Sequence, residues 1–513
     1  MRARAGAVTI GLAMALGILP ASHALPAESS AVKAAVQVTS DIDPLRAHSS
    51  PQIAVNPTNG ELVIVEANVR GNRACTTHIS VDDGRSWFRG GDLMQEPYLD
   101  CTLGAEYGPY ATLEFSEDGT LYVAFVGSEF LDRARDDTPR HIFVARSDDG
   151  GRSFSTSMAF EAPDGNPDIG FNKGPVLAVH PTDSSRVYVG WRQGVFRNAE
   201  EKQKSNVAAS EDGGRTFAPP VDLTDERGGD YPGLAVDGDG TVHAVYWARV
   251  FPPLPFGDPE SPVSPIYYRR STDGGASFEE AIEIDPGNAD ADRPPVIAAD
   301  PRSEAVYVVW SSHAEQRNLE DDFEGDFEIF FLASVDGGDS WPDRLVLNDD
   351  GSDVDQYLPG LSIAPDGRVD VAWYDDRLNP AEPEEGLQDV FATSSRNQGA
   401  TFAPNVRITD RSIDRTIGVW GNNIDSNHNV GVASTEGATY FAWQDTRNGD
   451  PEAQAEDVYM TKLVHASSAD ATGAGASRLL WTVVGAAAAL VLAGIALVAA
   501  SRLTSRSRQP QRA

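Results

Sequence analysis

Apolar positions in this chain come in short runs separated by Gly-, Asp- and Pro-rich turns, and the runs come in pairs. PVLAV at 175–179 is followed across a polar turn by VYVGW at 187–191, and PGLSI at 359–363 by VDVAW at 369–373. Runs this short, bounded by turn formers, predict strands rather than helices. Seven such pairs are entered at Pro51, Pro109, Pro175, Pro232, Pro295, Pro359 and near Asn422. The seventh runs through YFAW at 440–443 to a third strand, residues 457–462, and has no fourth. The stretch AVQVT at 35–39 resembles NVRIT at 405–409, which follows the sixth unit, and so predicts a strand that completes the seventh blade from the N-terminal side. The pattern therefore predicts an all-β, seven-bladed propeller; a six-bladed ring is the alternative and leaves one strand pair unexplained.

A second periodicity supports the repeat reading. Ser80 to Trp87, SVDDGRSW, recurs as Ser147 to Phe154, Ser210 to Phe217, Ser271 to Phe278, Ser334 to Trp341 and, with Asn397 in place of aspartate, Ser395 to Phe402; the spacings are 67, 63, 61, 63 and 61 residues. Aspartate and glycine supply turn conformations and side-chain-to-backbone hydrogen bonds, and the closing aromatic plugs the hairpin. Asp82, Asp149, Asp212, Asp273, Asp336 and Asn397 are accordingly read as structural.

Helical patterns occur only at the ends. Residues 1–24 carry Arg2 and Arg4, an apolar stretch from Ala7 to Leu19, and the small-residue close ASHA, which reads as a signal peptide and hence as export. Residues 479–500 carry no charge over 22 positions, enough to span about 30 Å of bilayer core. Arg502, Arg506, Arg508 and Arg512 follow, which places the 501–513 tail in the cytoplasm by the positive-inside rule. The expected layout is a signal peptide, an ectodomain over 25–465, a linker over 466–478, one transmembrane helix and a basic tail: a single-pass cell-membrane protein facing outward. A buried core helix is the alternative for 479–500, and its basic flank argues against it.

Between the ends lie all 77 acidic residues and 34 of the 41 basic ones, a formal charge of −43. Such a surface repels nucleic acid and anionic headgroups. Cys75 and Cys101 are the only cysteines, and in an exported chain they read as a disulfide. A zinc or thiol site lacks nearby partners. The acidic run Glu320 to Asp326 offers oxygen ligands for Ca²⁺ but does not follow the EF-hand spacing, so a solvated loop is the simpler reading and no metal site is assigned.

In a propeller the loops from second to third strand and the crossings between blades share one face. Here those loops are long, at 248–265, 311–328 and 375–388, as expected of a binding face. The crossings carry Asp230 and Tyr231, Asp292 and Arg293, Tyr357 and Trp420. A W-x-D-x-R motif repeats as Trp373-Asp375-Arg377 and Trp443-Asp445-Arg447. Carboxylates on hydroxyls, guanidinium on an acidic group and rings on apolar faces would suit a sugar. Alternatively each Asp–Arg pair pins a loop and each Trp wedges between blades.

The six S-x-D-x-G-x-[ST]-[WF] segments are similar to the Asp box, and with the blade pattern the chain resembles the sialidase superfamily over about residues 31–465. That resemblance implies a propeller with the Asp boxes on the face away from the ligand. For true sialidases it further implies a Tyr nucleophile paired with Glu, an Asp acid/base and three arginines. The first arginine of that set opens the first blade in an R-x-P motif, and here the corresponding position is Ser49, before Ser50 and Pro51. An R-x-P stands instead at Arg293 in the fifth unit. The expectation is therefore a glycan or other extracellular ligand bound on the loop-rich face. An exo-glycosidase using Tyr357 or Tyr231 is the alternative, and a protein-binding envelope scaffold the third.

Overall fold

The computed structural model describes residues 31–465 apart from 44, 71–72, 102–110, 130–138, 164–171, 195–202, 225–227, 249–264, 288–293, 314–326, 353, 379–385, 419–428, 451 and 454. The segments read as signal peptide, linker, transmembrane helix and tail lie outside the described residues, as do Asp292, Arg293, Trp420 and the acidic run 320–326. Among the described residues no helix is long and apolar enough to cross a membrane.

Among the described residues thirty strands form seven antiparallel sheets. Blade 1 is His48–Val55, Leu62–Asn68, Cys75–Ser80 and Phe88–Asp92. Blade 2 is Ala111–Phe115, Leu121–Gly127, His141–Ser147 and Ser155–Phe160. Blade 3 is Asn172–Val179, Val187–Gln193, Lys204–Ser210 and Val221–Asp222. Blade 4 is Asp230–Val236, Val242–Trp247, Ile266–Ser271 and Ile282–Asp285. Blade 5 is Val296–Ala299, Val306–His313, Phe327–Ser334 and Leu345–Val346. Blade 6 is Gln356–Ile363, Val369–Asp375, Leu387–Ser395 and Val406–Arg407, with Ile413–Asp414 added beside the start of its third strand.

Blade 7 has three strands of its own, Gly431–Ser434, Ala438–Asp445 and Asp457–Val464. Its outer edge is covered by two N-terminal pieces: Ala31–Val32 pairs with Val464 and Leu463, and Val36–Gln37 with Met460 and Tyr459. The ring closes from both ends of the chain, which removes an open edge. The joint is reinforced where blade 1's first repeated turn meets blade 7: Asp83 accepts from Tyr440 Oη at 2.8 Å and pairs with Lys462.

The six repeated turns share one geometry. In the first, Ser80 Oγ accepts from Gly84 N at 2.9 Å, while Asp82 accepts from Ser86 N at 2.9 Å and Ser86 Oγ at 2.7 Å. Asn397 makes the same contacts to Thr401 with its carbonyl and amide. Hydrogen bonds from the Ser or Thr four residues on hold Asp82, Asp212, Asp273 and Asp336 down to about 2. The closing aromatics Trp87, Phe154, Phe217, Phe278, Trp341 and Phe402 each pack on a separate apolar cluster between blades. The turns are structural parts of the ring.

The fifth residue of the second strand, counted from the turn, is aromatic in five blades, Phe125, Trp191, Tyr246, Trp310 and Trp373, and in blade 7, whose strand starts one residue earlier, the sixth is Trp443; all are 1 % exposed or less. Blade 1 breaks the rule with Glu66, also 1 % exposed. Its carboxylate lies between His48 Nδ1 at 2.9 Å and His78 Nε2 at 3.1 Å, and His48 Nε2 meets Asp41 at 2.8 Å. Nearby, Cys75 and Cys101 form a disulfide.

Candidate functional site

Because strands alternate in direction, the six turns and the first hairpins share one end of the ring, while the crossings and second-to-third-strand loops share the other. The first strands of all seven blades line a central cavity of about 210 Å³. Its wall is polar and apolar in equal measure: Ile53, Leu113, Leu177, Leu234, Ile297 and Leu361 supply apolar surface, and Gln52, Thr112, Tyr231 and Asn429 are among its polar lining residues.

The openings of four first strands are built alike. In blades 1, 3, 4 and 6 the pairing slips at a bulge, between Ser49 and Gln52, Lys173 and Val176, Asp230 and Gly233, and Tyr357 and Gly360. Within each bulge the residue before proline has a positive φ: Ser50 at 58°, Gly174 at 52°, Tyr231 at 35° and Leu358 at 54°. Proline disfavours helical conformations in its predecessor, and a left-handed non-glycine costs roughly 1–2 kcal/mol. Three blades sustain that strain at one mouth of the ring, a pattern associated with functional sites.

In each bulge the residue before the positive-φ one is buried at the strand opening. Ser49, Lys173, Asp230 and Tyr357 are polar, yet 0 %, 1 %, 0 % and 0 % exposed. Ser49 Oγ donates to Gln444 at 2.8 Å. Asp230 pairs with Arg192 Nε at 2.5 Å, and that guanidinium lies 5.1 Å from the Tyr231 ring centroid and donates to Gln203. Tyr357 Oη donates to Gln388 Oε1 and accepts from Arg415 Nη1 at 2.7 Å.

Arg415 follows the added strand Ile413–Asp414, which folds the crossing from blade 6 back over the top of that blade. Its Nη2 lies 3.1 Å from Asp376 Oδ2. Burial pushes the Asp376 carboxyl up to about 7; Arg415 opposes this, and Asp355, Asp375 and Asp389 add to it. Asp376 therefore exchanges a proton near neutrality beside a guanidinium and a phenol, a set able to bind hydroxyl groups and to move a proton.

The repeated W-x-D-x-R motif does something else. Asp375 accepts from Trp373 Nε1 at 2.8 Å and from both ends of Arg377, whose guanidinium lies 4.3 Å from the Phe391 ring centroid. Asp445 accepts from Trp443 Nε1 at 2.9 Å and from Arg447, which sits 4.3 Å from the Tyr459 ring centroid. Each Asp–Arg pair closes within its own blade, and Nη1 of Arg377 and of Arg447 goes on to Asp349 and Asp410, each at 2.8 Å. Tyr231 borders the cavity, Asp230 is held by Arg192, and Tyr357 reaches Arg415. No cluster of His, Cys, Asp or Glu suited to a metal occurs among the described residues.

Asp376, Arg415, Lys173 and Arg192 are additions to the residues selected from sequence. A signal for Asp376 was present: it fills the variable fourth position of W-x-D-x-R in blade 6, where blade 7 has Thr446. Lys173 stands two residues before Pro175, in register with Ser49, Asp230 and Tyr357. Arg415 has no sequence signal, since only the folded crossing brings it to Tyr357.

No known family's sequence model matches the chain, and no curated protein matches it. Solved structures do align with it along most of its length. A protein of unknown function from Dyadobacter fermentans is 14% identical over 85% of this chain and 99% of its own, with a TM-score of 0.45. An α-L-arabinanase from Penicillium chrysogenum, solved with arabinobiose, is 14% identical over 84% and 98%, with a TM-score of 0.42. A Hadza microbial sialidase is 14% identical over 78% and 75%, with a TM-score of 0.41. The seven-bladed assignment rests on the strand pairing above.

Proposed function

We propose that this chain is a membrane-tethered, outward-facing propeller of sialidase-like type that binds a glycan at the mouth of its central cavity, on the face opposite the six Asp-box turns. The carrying observation is the set of four proline-preceded bulges, three of them strained at non-glycine residues, that bury Ser49, Lys173, Asp230 and Tyr357 around one opening. A purely structural ring has no need of four such bulges, three of them strained, each beside a buried polar group. Cations, carboxylates, an amide and phenols at one mouth match the mixed donors and acceptors of a sugar. The export and anchoring parts of the proposal rest on the terminal segments.

Retention of the purified chain on a glycan array tests the reading. Lys173→Met and Tyr231→Ala are expected to abolish retention, while Asp212→Asn, on the opposite face, leaves it intact. An empty array, or retention indifferent to the Lys173 and Tyr231 changes, refutes it. A second reading, an exo-glycosidase, is favoured by one feature: Asp376 holds a proton near neutrality, as a general acid must. Release of aryl alcohol from a glycoside panel, lost in Asp376→Asn, would establish it.

A further inference from the structure

We propose that Asp376 and Arg415 form a hydroxyl-reading subsite that takes a sugar ring hydroxyl, or two neighbouring ones, as donor to the carboxylate and acceptor from the guanidinium. The inference rests on the glycan reading above and deepens it. Arg415 is 9 % exposed and uses Nη1 on Tyr357 and Nη2 on Asp376 Oδ2, yet its buried Nε meets no acceptor among the described residues. Asp376, with a side chain 16 % exposed, uses Oδ2 on Arg415 and leaves buried Oδ1 without a donor among those residues. Leaving such groups unmet is costly, and natural structures rarely tolerate it without a role. The idle donor and idle acceptor belong to two groups already in contact through Nη2 and Oδ2, and the proposed hydroxyl serves both.

The chemistry of that group follows from the pair. A carboxylate ligand would suit Arg415 and repel Asp376; an ammonium would do the reverse. A hydroxyl accepts from one and donates to the other. The groups facing Asp376 are Arg415 on the crossing, Asp355 before blade 6, Asp375 on its own strand and Asp389 on the third strand. Asp375 and Asp389 are held by Arg377 and Arg407, and Asp355 Oδ1 accepts from Phe327 N at 3.2 Å, so Asp376 is the carboxylate proposed to accept from a ligand. Blade 7 supplies an internal contrast. Thr446 occupies the equivalent position, and its hydroxyl is taken up by the Asp414 carbonyl at 2.8 Å and amide at 3.1 Å. The W-x-D-x-R frame thus presents an idle side chain in blade 6 and a satisfied one in blade 7.

The test titrates the intact ¹⁵N-labelled chain with methyl glycosides of galactose, mannose, glucose and arabinose, following the Arg415 Nε–H signal, assigned through Arg415→Lys. At least one glycoside is expected to shift that signal saturably, and its single-deoxy analogue to bind about tenfold more weakly. Affinity should rise from pH 6 to pH 8 as Asp376 ionises, and the isosteric Asp376→Asn should flatten that profile. Shifts confined to other residues, or a pH profile unchanged in Asp376→Asn, overturn the subsite and leave the glycan reading standing. Silence of every signal toward all the glycosides overturns the subsite, and the array then decides the broader reading independently.

Discussion

Glu66→Gln isolates the buried network of blade 1. Burial alone would push Glu66 up, but the His48 charge and hydrogen bonds from both histidines outweigh it and hold the carboxyl at about 2. Burial alone would push His48 down, and Glu66 together with Asp41 raises it to about 10 instead. Glu66 and His48 are 1 % and 5 % exposed, so water screens the pair little. Removing one partner of a buried ion pair costs about 3–5 kcal/mol, because the other charge stays buried and unmatched. We expect Glu66→Gln to lie near the lower bound, since Asp41 still faces His48. The pH dependence has a definite sign. Glu66 has a depressed folded pKa, so its contribution is present above about 4.5 and is lost as pH falls toward 2. His48 has a raised one, so its contribution is complete below about 6.5 and is lost as pH rises toward 10. Denaturant midpoints from pH 3 to pH 10 should give a plateau near pH 4.5–6.5 in the wild type, with both limbs flattened in the variant. A variant within about 1 kcal/mol of wild type and carrying the same two limbs would refute the account. Replacing Glu66, His48 and His78 together by leucine should recover most of the loss, because an apolar wedge then fills the site as in the other blades.

Asp83 sits at φ 66° where four of the other turns carry glycine. Asp83→Ala loses its contacts to Tyr440 and Lys462 while keeping the strain, and Asp83→Gly loses the contacts but relieves it. Alanine should therefore be the more destabilising by about 1 kcal/mol in denaturant melts. Opening the Cys75–Cys101 loop of 26 residues by Cys75→Ser with Cys101→Ser should cost about 3.5 kcal/mol on the chain-entropy account, read as a lower denaturant midpoint that reductant no longer changes. Burial raises Glu114 to about 8 despite a hydrogen bond from Val179 N, so its ionisation opposes folding as pH climbs from about 4.5 toward 8. Glu114→Gln should match wild type at pH 4 and exceed it in stability at pH 8.

The seven blades were readable from sequence because strands separated by a fixed turn chemistry leave a period that no other architecture needs. Even the stitched seventh blade showed itself, as a missing seventh copy of the repeated turn and a spare strand near Val36. The motif W-x-D-x-R was equally legible, but its meaning was only half so: sequence favoured an ion pair over a ligand clamp without deciding between them, and only the packing of Arg377 on Phe391 and of Arg447 on Tyr459 shows where those guanidinium groups are spent. Repetition marks what every blade must do to stay in the ring, so it points to structure. The candidate site is made of departures from the repeat. Lys173 and Asp376 occupy variable positions, and Arg415 reaches Tyr357 across a sequence separation of 58 residues. Those departures become a constellation only when ring closure brings the strand openings to one mouth, where low dielectric and strained backbone give each side chain a neighbour that sequence spacing does not encode.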